Sequence, residues 1–175
     1  MSREKTDQLI RHLDEDWRRA LENIRAAAGR IWSRPLHLYY TDHTVDHSER
    51  VIAELNGLSA WMMAAARALS PTEIFVLLAA AYLHDIGMQN EKFAGGDLAE
   101  IRAHHNEQTA EMIYAVFEDP ENAFLIPLGQ DPGLVEAVAL VAKGHRRVDL
   151  GGADYASLIH GGETLRLRLL AALLR

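Results

Sequence analysis

The sequence predicts an all-α fold, a bundle of six or seven helices packed around a central apolar helix at about residues 73–86. Apolar residues recur at helical spacing along most of the 175-residue chain. The segment IFVLLAAAYL, residues 74–83, is apolar on every side of a helix, which is typical of a buried central helix. No alternating pattern of apolar and polar residues competes with these helices, so no strands are predicted.

Caps and helix-breaking residues predict the helix boundaries. Ser70 is placed to cap the central helix, Pro71 suits a first helical position, and Glu73 completes a capping box. Gly29 is expected to end the first helix, and Gly57 could divide the second helix in two. The predicted helices span residues 4–28, 44–69, 73–85, 97–117, 131–145 and 163–175, and residues 146–162 are predicted to form a loop.

The composition limits the class of protein. With 49% hydrophobic and 25% charged residues, the chain can bury a core, and we expect one domain over residues 1–175, in which an N-terminal helix (1–35) precedes a core (40–175). The formal net charge of −7 disfavours long nucleic acid and anionic membrane as partners. Neither a signal peptide nor a membrane-spanning run is visible, so a cytoplasmic location is expected. The absence of cysteine excludes disulfides, thiolate nucleophiles and cysteine-based metal sites.

Nine histidines stand out in this composition. His43 and His47 are four residues apart, so they share one face near the start of the second helix. His84 and Asp85 are adjacent at the end of the central helix, where they could converge on one ion. His105 falls in the apolar register of its own helix.

His145 ends a further helix, so four helices each bring histidine towards the core. For any one of these residues alone, a satisfied core histidine or a simple helix-end contact is the more ordinary interpretation. Burying four or five imidazoles beside a carboxylate, however, is costly unless a cation compensates. Histidine and carboxylate without thiolate suit Mn, Fe, Co, Ni or Zn, and Mg less well.

The order of these residues resembles the HD-domain metal-dependent phosphohydrolase superfamily. The resemblance covers roughly residues 40–175. The segments that carry it are DHTVDHSERV (42–51), LLAAAYLHDIGM (77–88), RAHHNEQTAEMI (102–113) and AKGHR (142–146). It implies an HD-domain-like helical bundle, one or two divalent metal ions, and hydrolysis of a nucleotide or other small phosphoester by a metal-activated water.

The resemblance also implies a role for each matching residue. His47, His84 and Asp85 match metal ligands of the family, and Asp85 is further expected to bridge or orient the water. His105 and His145 match the histidines that hold a second metal, or bind phosphate, in binuclear members.

Further residues are expected to assist the reaction. His43 matches a histidine that, in cyclic-nucleotide phosphodiesterases of the wider superfamily, acts on the leaving-group oxygen. Arg50 lies one turn from His47 and is expected to be a catalytic cation. His104 is a weaker candidate for binding the substrate phosphate. The other candidate phosphate ligands, which are equally well interpreted as solvated surface charges, are Arg102, Lys143, Arg146 and Arg147.

The last helix departs from the family pattern. Family members complete the metal site with an Asp on this helix, and here LRLRLLAALLR ends at Arg175, about where that Asp should follow. We therefore expect the sequence to be the N-terminal part of a longer chain. The alternative is a non-catalytic HD-fold sensor or interaction module with an incomplete or structural metal site. Besides a small phosphorylated substrate, the expected partners are a second copy of the chain or a fused downstream domain.

Overall fold

An apolar helix, α3 (Pro71–Leu83), forms the centre of the fold in a computed structural model that describes residues 9–33, 44–64, 68–90, 97–115 and 131–175. Ten of its thirteen residues are buried. Its start is the predicted one, because the Ser70 hydroxyl accepts from the Glu73 N–H while the Glu73 carboxylate accepts from the Ser70 N–H. The helix ends at Leu83, with His84 as its C-cap, and a short 3₁₀ turn (Ile86–Gln89) follows.

Five further α-helices surround α3 in the described residues, which confirms the predicted all-α bundle. Their bounds are α1 Glu15–Trp32, α2 Val45–Met63, α4 Leu98–Tyr114, α5 Pro132–Lys143 and α6 Leu167–Leu174. Helices α1, α2, α5 and α6 pack directly on α3, and α4 packs on α5 and on the 3₁₀ turn after α3. None of the described helices is long and apolar enough to cross a membrane.

Neither glycine predicted to interrupt a helix does so. Helix α1 continues through Gly29 to Trp32, and its last turn buries Ile31 in the core. Helix α2 continues through Gly57, because residues on both sides of it, including Leu55 and Met62, keep one buried face. A helical glycine costs about 1 kcal/mol, less than the burial of such side chains contributes. At the N-terminus a 3₁₀ turn (Leu9–His12) precedes α1, and residues 1–8 lie outside the described residues.

The predictions of no strands and of a helix from residue 163 are wrong. Strands β1 (Leu158–His160) and β2 (Glu163–Leu165) form an antiparallel hairpin, with Leu158 opposite Leu165 and His160 opposite Glu163. The turn between them is Gly161-Gly162, and both glycines have positive φ, 57° and 82°. A two-residue hairpin turn favours this conformation, which glycine adopts without steric cost.

A buried carboxylate joins the central helix to the last one. The side chain of Glu73 is 2% exposed and accepts from the backbone N–H of Arg166 (2.9 Å) and from its Nε (2.8 Å). Arg166 is the N-cap of α6, and its Nη2 also donates to the Ala68 carbonyl at 2.9 Å. Glu73 therefore caps α3 and fixes the start of α6 with one carboxylate.

Candidate metal centre

Four separate elements bring side chains to one centre. His47 comes from the first turns of α2, His84 and Asp85 follow the last turn of α3, His105 lies in the middle of α4, and His145 follows the C-cap of α5. His84, Asp85 and His105 are buried, while His47 and His145 are partly exposed. We call these five residues the His–Asp centre.

The Asp85 carboxylate is the hub of this centre. Its Oδ2 lies 3.0 Å from Nε2 of His84 and 3.5 Å from Nε2 of His47. Its Oδ1 lies 3.1 Å from Nε2 of His105 and 3.4 Å from Nε2 of His145. Each carboxylate oxygen therefore faces two imidazole nitrogens, and the five residues form two triads that share Asp85.

Backbone carbonyls fix the tautomers of three of the rings. Nδ1 of His84 contacts the Ala81 carbonyl at 2.9 Å, Nδ1 of His105 contacts the Arg102 carbonyl at 3.1 Å, and Nδ1 of His145 contacts the Ala142 carbonyl at 2.6 Å. A carbonyl only accepts, so each Nδ1 carries its proton and donates it. When such a ring is neutral, its Nε2 atom carries a lone pair that is directed at the centre.

This arrangement of lone pairs fits a divalent cation. Nε2 of His105 and Nε2 of His145 lie 3.0 Å apart, and both are close to the negatively charged Oδ1 of Asp85. Facing lone pairs repel one another unless a proton or a metal ion lies between them. Donor atoms about 2.1 Å from one ion are separated by about 3.0–3.4 Å at bond angles of 90–109°, which matches the separations among these three donors.

The pKa values of His84 and His145 are shifted in opposite directions by their surroundings. Burial lowers the pKa of His84, but the charge and hydrogen bond of Asp85 outweigh it, so the net shift is upward. Burial also lowers the pKa of His145, and there Asp85 does not compensate fully, partly because His84 lies nearby. The lowered pKa favours the neutral ring of His145, the state in which imidazole binds a metal ion.

A buried threonine supports the centre from α4. Thr109 is fully buried, its Oγ1 donates to the His84 carbonyl at 2.9 Å, and it accepts from the Gly87 N–H at 2.9 Å. Gly87 allows this close approach, because a Cβ there would lie 2.0 Å from the His105 carbonyl oxygen. The sequence signal was the helical register that Thr109 shares with His105, but nothing in the sequence identifies its partners.

The centre opens into a cleft of about 510 Å³. Of the predicted phosphate ligands, Arg102 and Arg146 line this cleft. Arg175, which the sequence interpretation did not single out, lines it as well, together with Met88 and Leu174.

The other residues that were predicted to assist the reaction are not among the described residues that line the cleft. His104 is exposed and lies 3.5 Å from Glu107, whereas Lys143 contributes its backbone carbonyl to Asn106. Arg50 and Arg147 are exposed. His43 lies outside the described residues.

Comparison with known proteins identifies the family of the chain. The family model HD-CE, which describes a family related to the HD domain, matches residues 37–175. The match includes every residue of the His–Asp centre. No curated protein and no solved structure shows significant similarity to the chain.

Proposed function

We propose that this chain, which belongs to the HD-CE family, is a metal-dependent phosphohydrolase acting on a nucleotide or another small phosphoester. One observation carries the proposal: four imidazole Nε2 atoms converge on the carboxylate of Asp85, and three of these rings are oriented by contacts between Nδ1 and backbone carbonyls.

In this proposal the five residues hold one or two divalent ions. His47, His84 and Asp85 form one ligand set, and Asp85, His105 and His145 form the other. Nitrogen and oxygen donors without sulfur favour Mn, Fe, Co, Ni or Zn over Mg. A divalent ion, when bound, lowers the pKa of water and offsets charge on phosphoryl oxygens.

The protein groups supply orientation and further positive charge. Asp85 shares its two oxygens between the ligand sets and is placed to orient an attacking water. Arg102 and Arg146, which line the cleft, bind the phosphate oxygens. His43 is proposed to protonate the leaving oxygen, and Arg50 to add positive charge from α2.

Hydrolysis assays with purified protein test this function. Protein prepared without chelator, with Mn²⁺ added, should cleave a generic phosphomonoester or phosphodiester such as a nitrophenyl phosphate. We expect Asp85→Ala to lower the rate about a hundredfold or more, since it removes the shared ligand. His160→Ala is the matched control, because His160 lies on β1 next to Asp131 and not at the cleft.

Two results would contradict the proposal. Activity and metal content that both survive in Asp85→Ala would exclude a role for the His–Asp centre. Protein that holds metal but cleaves no phosphoester would favour the alternative, a non-catalytic HD-fold module with a structural metal.

A further inference from the structure

We propose that the substrate carries two or more phosphate groups in a row, with one at the His–Asp centre and the next on Arg102, Arg146 and Arg175. This inference rests on the proposed function and narrows its substrate class to polyphosphorylated small molecules, such as nucleoside di- or triphosphates.

The cleft is lined mainly by positive charge. Its described lining carries three guanidinium groups and a single side-chain carboxylate, that of Asp85, which the histidines already surround. Within the described residues, none of these three arginines forms a salt bridge with an acidic side chain. The chain as a whole is acidic, with a formal net charge of −7, so this concentration of positive charge is local.

Backbone carbonyls hold the side chains of Arg146 and Arg175. Nη2 of Arg146 donates to the Arg102 carbonyl at 2.9 Å, and Nη2 of Arg175 donates to the carbonyls of Arg146 (2.7 Å) and Val148 (3.2 Å). Carbonyl oxygens orient a guanidinium without neutralising its charge. Among the described residues, the other N–H groups of Arg146 and Arg175 are available for an anion, and Arg is suited to bidentate binding of phosphate.

The arginines of the cleft lie next to the proposed metal ligands. Arg102 precedes His105 by one turn of α4, and its carbonyl accepts both from His105 Nδ1 and from Arg146. Arg146 directly follows His145. The arginine group therefore adjoins the ligand set of Asp85, His105 and His145, so an anion bound there lies next to a phosphate at that set.

The three guanidinium groups of the cleft can bind more than one phosphate group. A single phosphate group at a metal site already has its oxygens occupied by the ion and by one or two donors. Three further guanidinium groups exceed that requirement and match a second or third phosphate. The cleft volume of about 510 Å³ lies within the range of small-molecule sites and accommodates such a chain.

Calorimetry with inorganic tripolyphosphate and orthophosphate tests the inference. Each anion is titrated into the full chain as purified and again after chelator treatment, because tripolyphosphate itself binds divalent ions. We expect tripolyphosphate to bind about a hundredfold more tightly than orthophosphate in both preparations. Arg102→Gln, Arg146→Gln and Arg175→Gln should each weaken tripolyphosphate binding about tenfold.

Arg168→Gln is the matched control. Arg168 also donates to backbone carbonyls, those of Leu150 and Gly151, but it lines a different cavity. Equal affinity for the two anions, or cleft variants that bind like Arg168→Gln, would overturn the inference. Tighter binding of a single-stranded oligonucleotide through the same arginines would also overturn it, because the site would then serve a polymer.

The two proposals fail in different ways. Arginine-dependent tripolyphosphate binding in a protein that hydrolyses no phosphoester supports the polyphosphate site and contradicts the proposed function. Metal-dependent hydrolysis of phosphomonoesters, in a protein that binds tripolyphosphate no more tightly than orthophosphate, supports the function and contradicts the polyphosphate site.

Discussion

The hydroxyl of Thr109 joins α4 to the chain segment that carries Asp85. It donates to the carbonyl of His84, on one side of Asp85, and accepts from the N–H of Gly87, on the other. Because Thr109 lies one turn after His105 on α4, this link also sets the distance between the two ligand triads.

Thr109→Val should therefore weaken both the fold and the metal site. Valine keeps the shape of the side chain but leaves the buried Gly87 N–H and His84 carbonyl without this partner. We expect a loss of roughly 2–4 kcal/mol in unfolding free energy and of about tenfold in metal affinity. Chemical denaturation and metal titration measure the two effects.

Thr109→Ser is the control, because serine keeps the hydroxyl. It should retain metal affinity close to that of the unmodified chain and lose only the stability of one buried methyl group, about 1 kcal/mol. Metal affinity that falls equally in both variants would mean that packing, and not the hydroxyl, positions the ligands.

Gly87→Ala should be far more damaging than a typical glycine substitution. A Cβ at Gly87 would lie 2.0 Å from the His105 carbonyl oxygen and 2.5 Å from the Thr109 nitrogen, both of them backbone atoms of α4. Relieving the overlap requires α4 to move away from Asp85, so we expect a destabilisation of about 3 kcal/mol or more. Thermal unfolding measures it.

Gly57→Ala supplies the opposite case. A Cβ at Gly57, within α2, meets nothing within 4 Å, so alanine should stabilise the protein by about 0.5–1 kcal/mol. Similar stability changes in the two variants would contradict the close packing of α4 on the 3₁₀ turn.

The Glu73–Arg166 pair predicts a loss of stability in acid. Burial raises the pKa of Glu73, but the hydrogen bonds from Arg166 and Ser70 outweigh it, so its pKa lies below the ordinary value of 4.5. The folded state therefore binds this proton more weakly than the unfolded chain does. The contribution is complete above pH 4.5 and is lost as the pH falls through the lowered pKa of the folded state.

Glu73→Gln checks this assignment, because glutamine also completes a capping box but carries no charge. We expect it to cost roughly 2–3 kcal/mol at pH 7 and to show a shallower loss of stability below pH 4.5 than the unmodified chain. Glu15→Gln, at an exposed pair with Arg19, should change stability by less than about 1 kcal/mol. Parallel pH curves for the unmodified chain and Glu73→Gln would contradict the prediction.

Chelator treatment should lower the melting temperature. If bound ions stabilise the folded chain at concentrations about 100-fold above their dissociation constant, removing them costs about 2.7 kcal/mol, or roughly 5–10 °C for a chain of this size. His105→Ala should show a smaller chelator effect, and His160→Ala an unchanged one. A melting temperature that ignores chelator in the unmodified chain would contradict the metal assignment.

Local sequence signals predicted much of this molecule. The capping box of Ser70 and Glu73 and the apolar run after them identified α3, and the helical register of His105 predicted that it faces inwards. Both features depend on a single helix, so spacing alone reveals them.

Features that depend on contacts between distant segments escaped prediction. The hairpin has only three residues in each strand, too few for an alternating pattern to register, although Gly161-Gly162 is a hairpin signal. Arg166 and Thr109 find partners 93 and 25 residues away, on other elements. The place of Arg175 beside the cleft likewise follows from the packing of α6, which no local pattern encodes.

The metal content of Asp85→Asn, compared with that of the unmodified chain, shows whether the His–Asp centre holds metal ions through Asp85. Both are purified without chelator and analysed for transition metals, with a folded far-ultraviolet spectrum as the check on Asp85→Asn. We predict about one to two equivalents of metal in the unmodified chain and less than about 0.2 in Asp85→Asn, because one carboxylate serves both ligand sets. Equal metal content in the two proteins, or none in either after incubation with Mn²⁺ or Zn²⁺, would contradict it.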